Sequence, residues 1–190
     1  MTPAQLRARA ALWSLRAALA ALEARALDEA QHIAAEEATT RSLLKSPTWG
    51  RRRALGGHAD PVAGAIDAPE LVRVNQWSKT QADVIVELRG VAEHLPGLAG
   101  PLDRLQAAVP HMSDRMADGT RLFADRIDGR VRRKLVIHAD RLLVPRALCP
   151  TCDTTGLTMR LSPPAEERVI ECTTCGGAWL RNEALRSVAA

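Results

Sequence analysis

Four cysteines carry the most specific chemistry in this 190-residue chain, in two pairs: Cys149-Pro150-Thr151-Cys152 and Cys172-Thr173-Thr174-Cys175. A CxxC turn offers two thiolates from one tight loop. A hairpin built from the intervening residues 153–171 would return the second turn to the first, so that four sulfurs meet at the corners of a tetrahedron. That spacing belongs to structural zinc sites. A redox CxxC needs a strand-to-helix context, which is not written here. An iron–sulfur cluster also takes four cysteines, but Gly176 and Gly177 after the second pair suit a zinc knuckle, where the backbone must turn tightly. One structural Zn²⁺ on Cys149, Cys152, Cys172 and Cys175 is therefore expected. Four thiolates close the coordination shell and leave no position for activating a water.

The second candidate chemistry is phosphate contact. Arg130-Val131-Arg132-Arg133-Lys134 is the densest basic run. On a helix, Arg130, Arg133 and Lys134 share one side while Val131 and Leu135 turn inward. Such a patch would grip nucleic acid without reading its sequence. The competing reading is a solvated helix face, partly neutralised by Asp125 and Asp128. Arg132 completes the basic set. The loop run Arg51-Arg52-Arg53 reads as a solvated tip. The 5 histidines are scattered and make no ligand spacing. No phosphate-binding glycine loop, nucleophile elbow or paired-carboxylate frame is present, so no enzymatic constellation is expected.

These groups need elements to position them. Apolar residues make up 46% of the chain but aromatics only 3%, so the core must come from Ala, Leu and Val, which favours packed helices. Thr2-Pro3-Ala4-Gln5 is a capping box with Pro at the first helical position. It opens a helix over residues 1–46, with Leu12, Leu19, Ala26 and Ile33 in one row and Leu15 and Leu22 in the next. Glu29 and Glu36 make the second row polar. Residues 47–66 are rich in Gly and Pro and read as a linker. Asp67-Ala68-Pro69-Glu70 is a second capping signature, predicting a helix from about 68 to 95. Leu71, Val74, Ile85, Leu88 and Leu95 share its apolar stripe, and Trp77, Val84 and Val91 widen it. A third helical stretch opens at Pro101 and runs to Leu135, with breaks expected at Pro110 or Gly119. Residues 67–145 thus read as a helical bundle region and 146–190 as a separate small module. The fold class expected is mainly α: an elongated antiparallel bundle or coiled coil with a small C-terminal β-hairpin zinc ribbon.

In the module, Leu157, Met159 and Leu161 alternate with Thr158 and Arg160, which is a strand pattern. Arg168-Val169-Ile170-Glu171 returns as its partner. A segment of about 40 residues cannot fold on core burial alone, whereas structural zinc contributes on the order of 10–16 kcal/mol to small peptides.

Cys149-Pro150-x-Cys152 with Cys172-x-x-Cys175-Gly176-Gly177-Ala178-Trp179-Leu180 resembles the bacterial zinc ribbons of the transcription-factor-IIB type. That family often continues with an acidic WLD-x-GEL stretch. Here Arg181 and Asn182 follow Trp179-Leu180, and Leu185 keeps its place. The resemblance covers about residues 149–186. It implies a zinc-ribbon fold and binding to nucleic acid or protein.

Charge tempers that implication. Residues 116–148 carry eight basic and four acidic side chains, whereas residues 149–190 carry four basic and five acidic ones. Any grip on phosphate therefore belongs to the helix before Cys149. The expected function is a non-enzymatic binding protein contacting nucleic acid or the transcription machinery, RNA polymerase included. The alternative is a structural or assembly protein, a phage component or oligomeric adaptor whose long helices pair with a protein partner or with copies of themselves. Arginines interrupt the N-terminal apolar stretch too often for a signal or membrane span. With all thiols in CxxC turns, the cytoplasm is expected, or a phage particle for a viral gene.

Overall fold

The structure, a computed structural model, describes residues 1–44 and 75–188. The expected linker at 47–66, its arginine run and the capping signature at 67–70 lie outside the described residues. Among those described, the helices are α1 (Pro3–Leu44), α2 (Gln76–Ala92), α3 (Pro101–Ala108), α4 (Asp114–Leu135) and α5 (Arg181–Val188). Between α4 and α5 lie β1 (Leu142–Leu143), β2 (Leu157–Met159), β3 (Val169–Cys172) and β4 (Ala178–Leu180). The fold is mainly helical, with one antiparallel sheet in the order β1-β2-β3-β4. The chain forms two compact units: Met1–Leu22 with Gln81–Ala190, and Glu23–Thr80.

α1 opens with the reciprocal cap that its sequence announces. Thr2 N–H donates to the Gln5 side chain at 3.0 Å, and Gln5 N–H donates back to Thr2 Oγ1 at 3.3 Å. The same two residues tie the helix start to the α3–α4 turn. The Thr2 hydroxyl donates to Asp114 at 2.6 Å, and Gln5 Nε2 donates to the Met112 carbonyl at 2.8 Å. Leu12, Leu15 and Leu22 are fully buried, as their rows require. Leu19 and Ile33 are only half-buried. Ala8, Ala11 and Ala18 take the companion positions instead, because methyl side chains let neighbouring elements approach closely.

α2 starts at Gln76, well after the position near 68 read from the sequence. Asn75 stands outside the helix and caps it: its Oδ1 accepts N–H bonds from Trp77 at 3.0 Å and Ser78 at 2.9 Å. In the same unit, Asn75 Nδ2 donates to the Ala26 carbonyl at 2.8 Å. The inward stripe of α2 runs through Val84, Leu88 and Ala92. The helical stretch from Pro101 breaks at Pro110, inside the tight turn Val109–His111, and Ser113 then caps α4. Gly119 sits within α4 without breaking it. α4 ends on Val136, which takes a left-handed conformation (φ 56) while 90% exposed. A β-branched residue is strained there.

The sheet is wider than a hairpin, since β1 and β4 flank the two strands that were expected. Its faces do different jobs. Ile170, Cys172, Leu157, Met159 and Trp179 pack with Cys149 and with Ala184 of α5. On the other face, Val169, Ala178 and Leu180 pack on Leu6 and Ala10 of α1. Trp13 Nε1 donates to Glu167 at 2.8 Å, and Arg9 pairs with Glu167 at 2.8 Å.

One expectation fails inside the sheet. Leu161 does not continue the inward alternation and is 43% exposed, whereas Arg160 is buried at 2%. Two carboxylates explain the exchange. Arg160 Nη2 meets Asp125 of α4 at 2.7 Å, and its Nε meets Glu171 of β3 at 3.1 Å. Burial opposes this charge, but Asp125 and Glu171 outweigh it and raise the Arg160 pKa. Asp140 then turns the chain by accepting the N–H groups of Leu161 at 3.1 Å and Ser162 at 3.0 Å.

Arg160→Ala should leave two carboxylates facing an apolar gap and cost about 3–5 kcal/mol in chemical denaturation. Removing the exposed Arg141 from the same Asp125 should cost about 1 kcal/mol or less. Equal costs would show that burial does not govern this network. Val136→Gly should raise stability by about 1 kcal/mol by relieving the left-handed strain.

Candidate metal centre

The two CxxC turns are built alike. Cys149 accepts the Asp153 N–H at 2.9 Å and donates its own N–H to Thr154 at 3.0 Å. Cys172 accepts the Gly176 N–H at 3.1 Å and donates to Gly177 at 2.8 Å. In each turn the fourth residue after the first cysteine is left-handed, Asp153 with φ 52 and Gly176 with φ 71. This conformation folds the loop back so that both sulfurs point the same way.

Glycine is required at two further places. Gly156 has φ 124, and a Cβ there would lie 2.9 Å from the Thr173 hydroxyl. A Cβ on Gly177 would collide with the Trp179 indole. The second turn is also held from outside. Arg7 of α1 donates through Nη1 to the Gly176 carbonyl and pairs through Nη2 with Asp118 of α4 at 3.1 Å.

The result is one cluster of sulfurs. The four Sγ atoms lie within 4.8 Å of one another. Cys149 and Cys175 are 3.6 Å apart, and Cys152 and Cys172 are 3.7 Å apart. A tetrahedron with Zn–S bonds of about 2.3 Å has S···S edges of about 3.8 Å, so the geometry fits this ion. Cys149 and Cys172 are buried, Cys152 is half-buried and Cys175 is exposed. Among the described residues no second group of three potential ligands converges.

The polar surroundings favour thiolates unequally. The Cys175 and Thr174 amides lower Cys172 to about 6 against the opposing effect of burial. The Thr154 hydroxyl and amide lower Cys152. At Cys175 the Gly177 amide favours the thiolate. Desolvation and the sulfurs of Cys149, Cys152 and Cys172 prevail, pushing it up to about 12. Thiolates this close repel one another, and a divalent cation among them would supply the opposing charge. Bound there, Zn²⁺ would neutralise thiolate charge and hold the two turns together.

The basic run is divided by the fold. Arg130 pairs with Glu87 of α2 at 2.5 Å. Arg132 turns inward, meets Asp128 at 2.8 Å and donates to the His138 carbonyl at 2.9 Å. Arg133 and Lys134 are exposed on the last turn of α4. Sequence reasoning missed Asp153, Gly156 and Arg7. For Asp153 a signal existed: it stands at the same offset from Cys149 as Gly176 does from Cys172. Arg7 left no local signal, because its partner lies far along the chain.

No protein-family model, no curated protein and no solved structure matches this chain.

Elemental analysis of protein purified without chelator should find one zinc per chain, and Cys172→Ser should lose it. Asp153→Gly should hold or raise stability by up to about 1 kcal/mol, since glycine accepts the left-handed turn freely. Gly176→Ala should weaken zinc retention, because a Cβ there meets both backbone strain and Arg7 Nη1 at 2.6 Å. Equal tolerance of Ala and Gly at both positions would sink the account of paired knuckles.

Proposed function

We propose that this is a non-enzymatic, zinc-stabilised binding protein whose ribbon presents a contact surface to a protein target, of the kind that the transcription machinery offers. The carrying observation is the all-cysteine site, with four sulfurs within 4.8 Å. Such a donor set saturates Zn²⁺ and leaves no place for substrate or water, so the metal supports a fold. The resemblance of Cys149–Cys152 and Cys172–Leu180 to transcription-factor-IIB-type ribbons agrees with a binding role.

Two further observations favour a protein target over nucleic acid. Arg130 and Arg132 satisfy their charge within the fold. Leu142, Leu143 and Leu148 expose 50%, 61% and 55% of their surface beside the first cysteine pair. Exposed leucines grouped along one segment gain from covering by apolar side chains and gain nothing from phosphate.

A nucleic-acid reading draws on Arg133 and Lys134, which are exposed, and on the positive balance of residues 116–148. Salt separates the two. Each phosphate neutralised contributes about −0.9 to the slope of log affinity against log salt. With Arg130 and Arg132 held by carboxylates, duplex DNA binding through the basic run should show a slope no steeper than about −3 and should be weak at about 50 mM salt. A slope near −6 or steeper, lost on replacing Arg133 and Lys134, would transfer the function to nucleic acid.

A further inference from the structure

The sheet ends on an open edge. β1 is its terminal strand, and among the described residues nothing pairs with its outer side. Leu142 lies opposite Met159 and Leu143 opposite Thr158. Val144 N–H donates to the Leu157 carbonyl at 2.8 Å. Bonded pairs alternate along an antiparallel ladder, so Leu142 and Val144 aim their polar groups at β2, whereas Leu143 aims its N–H and C=O outward. The segment that carries it exposes apolar side chains: Leu142 at 50%, Leu143 at 61% and, past the strand, Leu148 at 55%.

Charge beside the edge is mainly basic, although Arg141 is held by Asp125 and Asp153 is exposed just beyond the segment. Between residues 129 and 152 the only carboxylate is Asp140. It is buried and is occupied by the amides of Leu161 and Ser162. Arg133 and Arg146 are exposed, and no ion pair engages either among the described residues. The surface therefore offers one outward amide and carbonyl, a group of leucines and a basic border.

We infer that the β1 edge is a docking site for an extended acidic peptide, whose alternate side chains fall on the two faces of the sheet, the apolar ones covering the exposed leucine of one face while its carboxylates meet Arg133 and Arg146. The peptide adds as a further strand beside Leu143, exchanging two backbone hydrogen bonds with it. This rests on the protein-binding reading above and names its site and ligand chemistry. Phosphate backbones fit less well, because they supply no donor to the Leu143 carbonyl and no apolar cover for the leucines. Pro145 ends the strand, so the docked segment is short.

The test uses the zinc-loaded full chain, labelled with ¹⁵N and titrated with a synthetic peptide of alternating valine and glutamate. The Leu143 amide should shift and its hydrogen exchange should slow. Leu143→Pro should abolish the effect without unfolding the sheet, since the lost N–H points outward; zinc content and helicity verify this. Arg146→Glu leaves the strand untouched and should weaken binding by about five- to tenfold. A valine–lysine peptide that binds equally well would overturn the proposal. So would a duplex DNA or anionic vesicle that shifts the Leu143 amide more strongly. If the glutamate peptide shifts other ribbon amides but leaves Leu143 unmoved, the edge proposal falls and the protein-binding reading survives. If no peptide binds and DNA does, both fall.

Discussion

Four thiolates drawn into one small volume repel one another, and the rest of the C-terminal structure depends on how that repulsion is met. Amide and hydroxyl donors lower Cys172 and Cys152, yet Cys175 is pushed up to about 12 by desolvation and its neighbouring sulfurs. A divalent cation held by the sulfurs would offset that repulsion. Its binding free energy then becomes folding free energy for the turns that present the sulfurs. This ordering explains why the turns tolerate a left-handed Asp153 and demand glycine at 156 and 177. Strain of the order of a kcal/mol at one residue is small beside the metal's contribution.

The sheet is not held by metal alone. One face closes over Cys149 and Cys172, and the other lies on Leu6 and Ala10 of α1. Between the sheet and α4 sits Arg160, with Asp125 and Glu171 as partners. Zinc has no directional hold on that second face. A buried guanidinium does, because its donors are satisfied only when strand and helix meet in one arrangement. A metal on the four sulfurs would close the knuckles, while Arg160, Arg7 and the apolar contacts seat the sheet on the helices.

Much of this was legible in the residues. The cysteine spacing announced a metal site, and the structure brings those four sulfurs together. The capping box at Thr2 and Gln5 formed, and Pro110 broke its helix. What stayed hidden depended on partners distant in sequence. Alternation placed Leu161 inside, yet Leu161 is exposed, while Arg160 on the opposite face is buried because Asp125 and Glu171 receive it there, and periodicity carries no information about them. Asn75 caps α2 at Gln76 through its own side chain, and the earlier start read near residue 68 lies outside the described residues. Strands as short as β1 and β4 have no pattern of their own and exist because β2 and β3 offer edges to pair with. On α1, leucines marked the expected rows, while alanines filled several of the tightest positions.

Exposure also changes how the basic run should be understood. Counted along the chain, Arg130 to Lys134 is a cationic cluster. In three dimensions Arg130 pairs with Glu87, which Arg126 also meets, and Arg132 neutralises the buried Asp128. The cations are then part of how the helices are held in place, and their attraction for an external anion is weaker than their number suggests. The outward charge that is left, Arg133 and Arg146, borders leucines and a strand edge. A surface of this mixture gains most from a ligand that satisfies backbone, apolar and ionic groups at once. An acidic polypeptide offers all three, which is the physical basis of the proposed protein recognition.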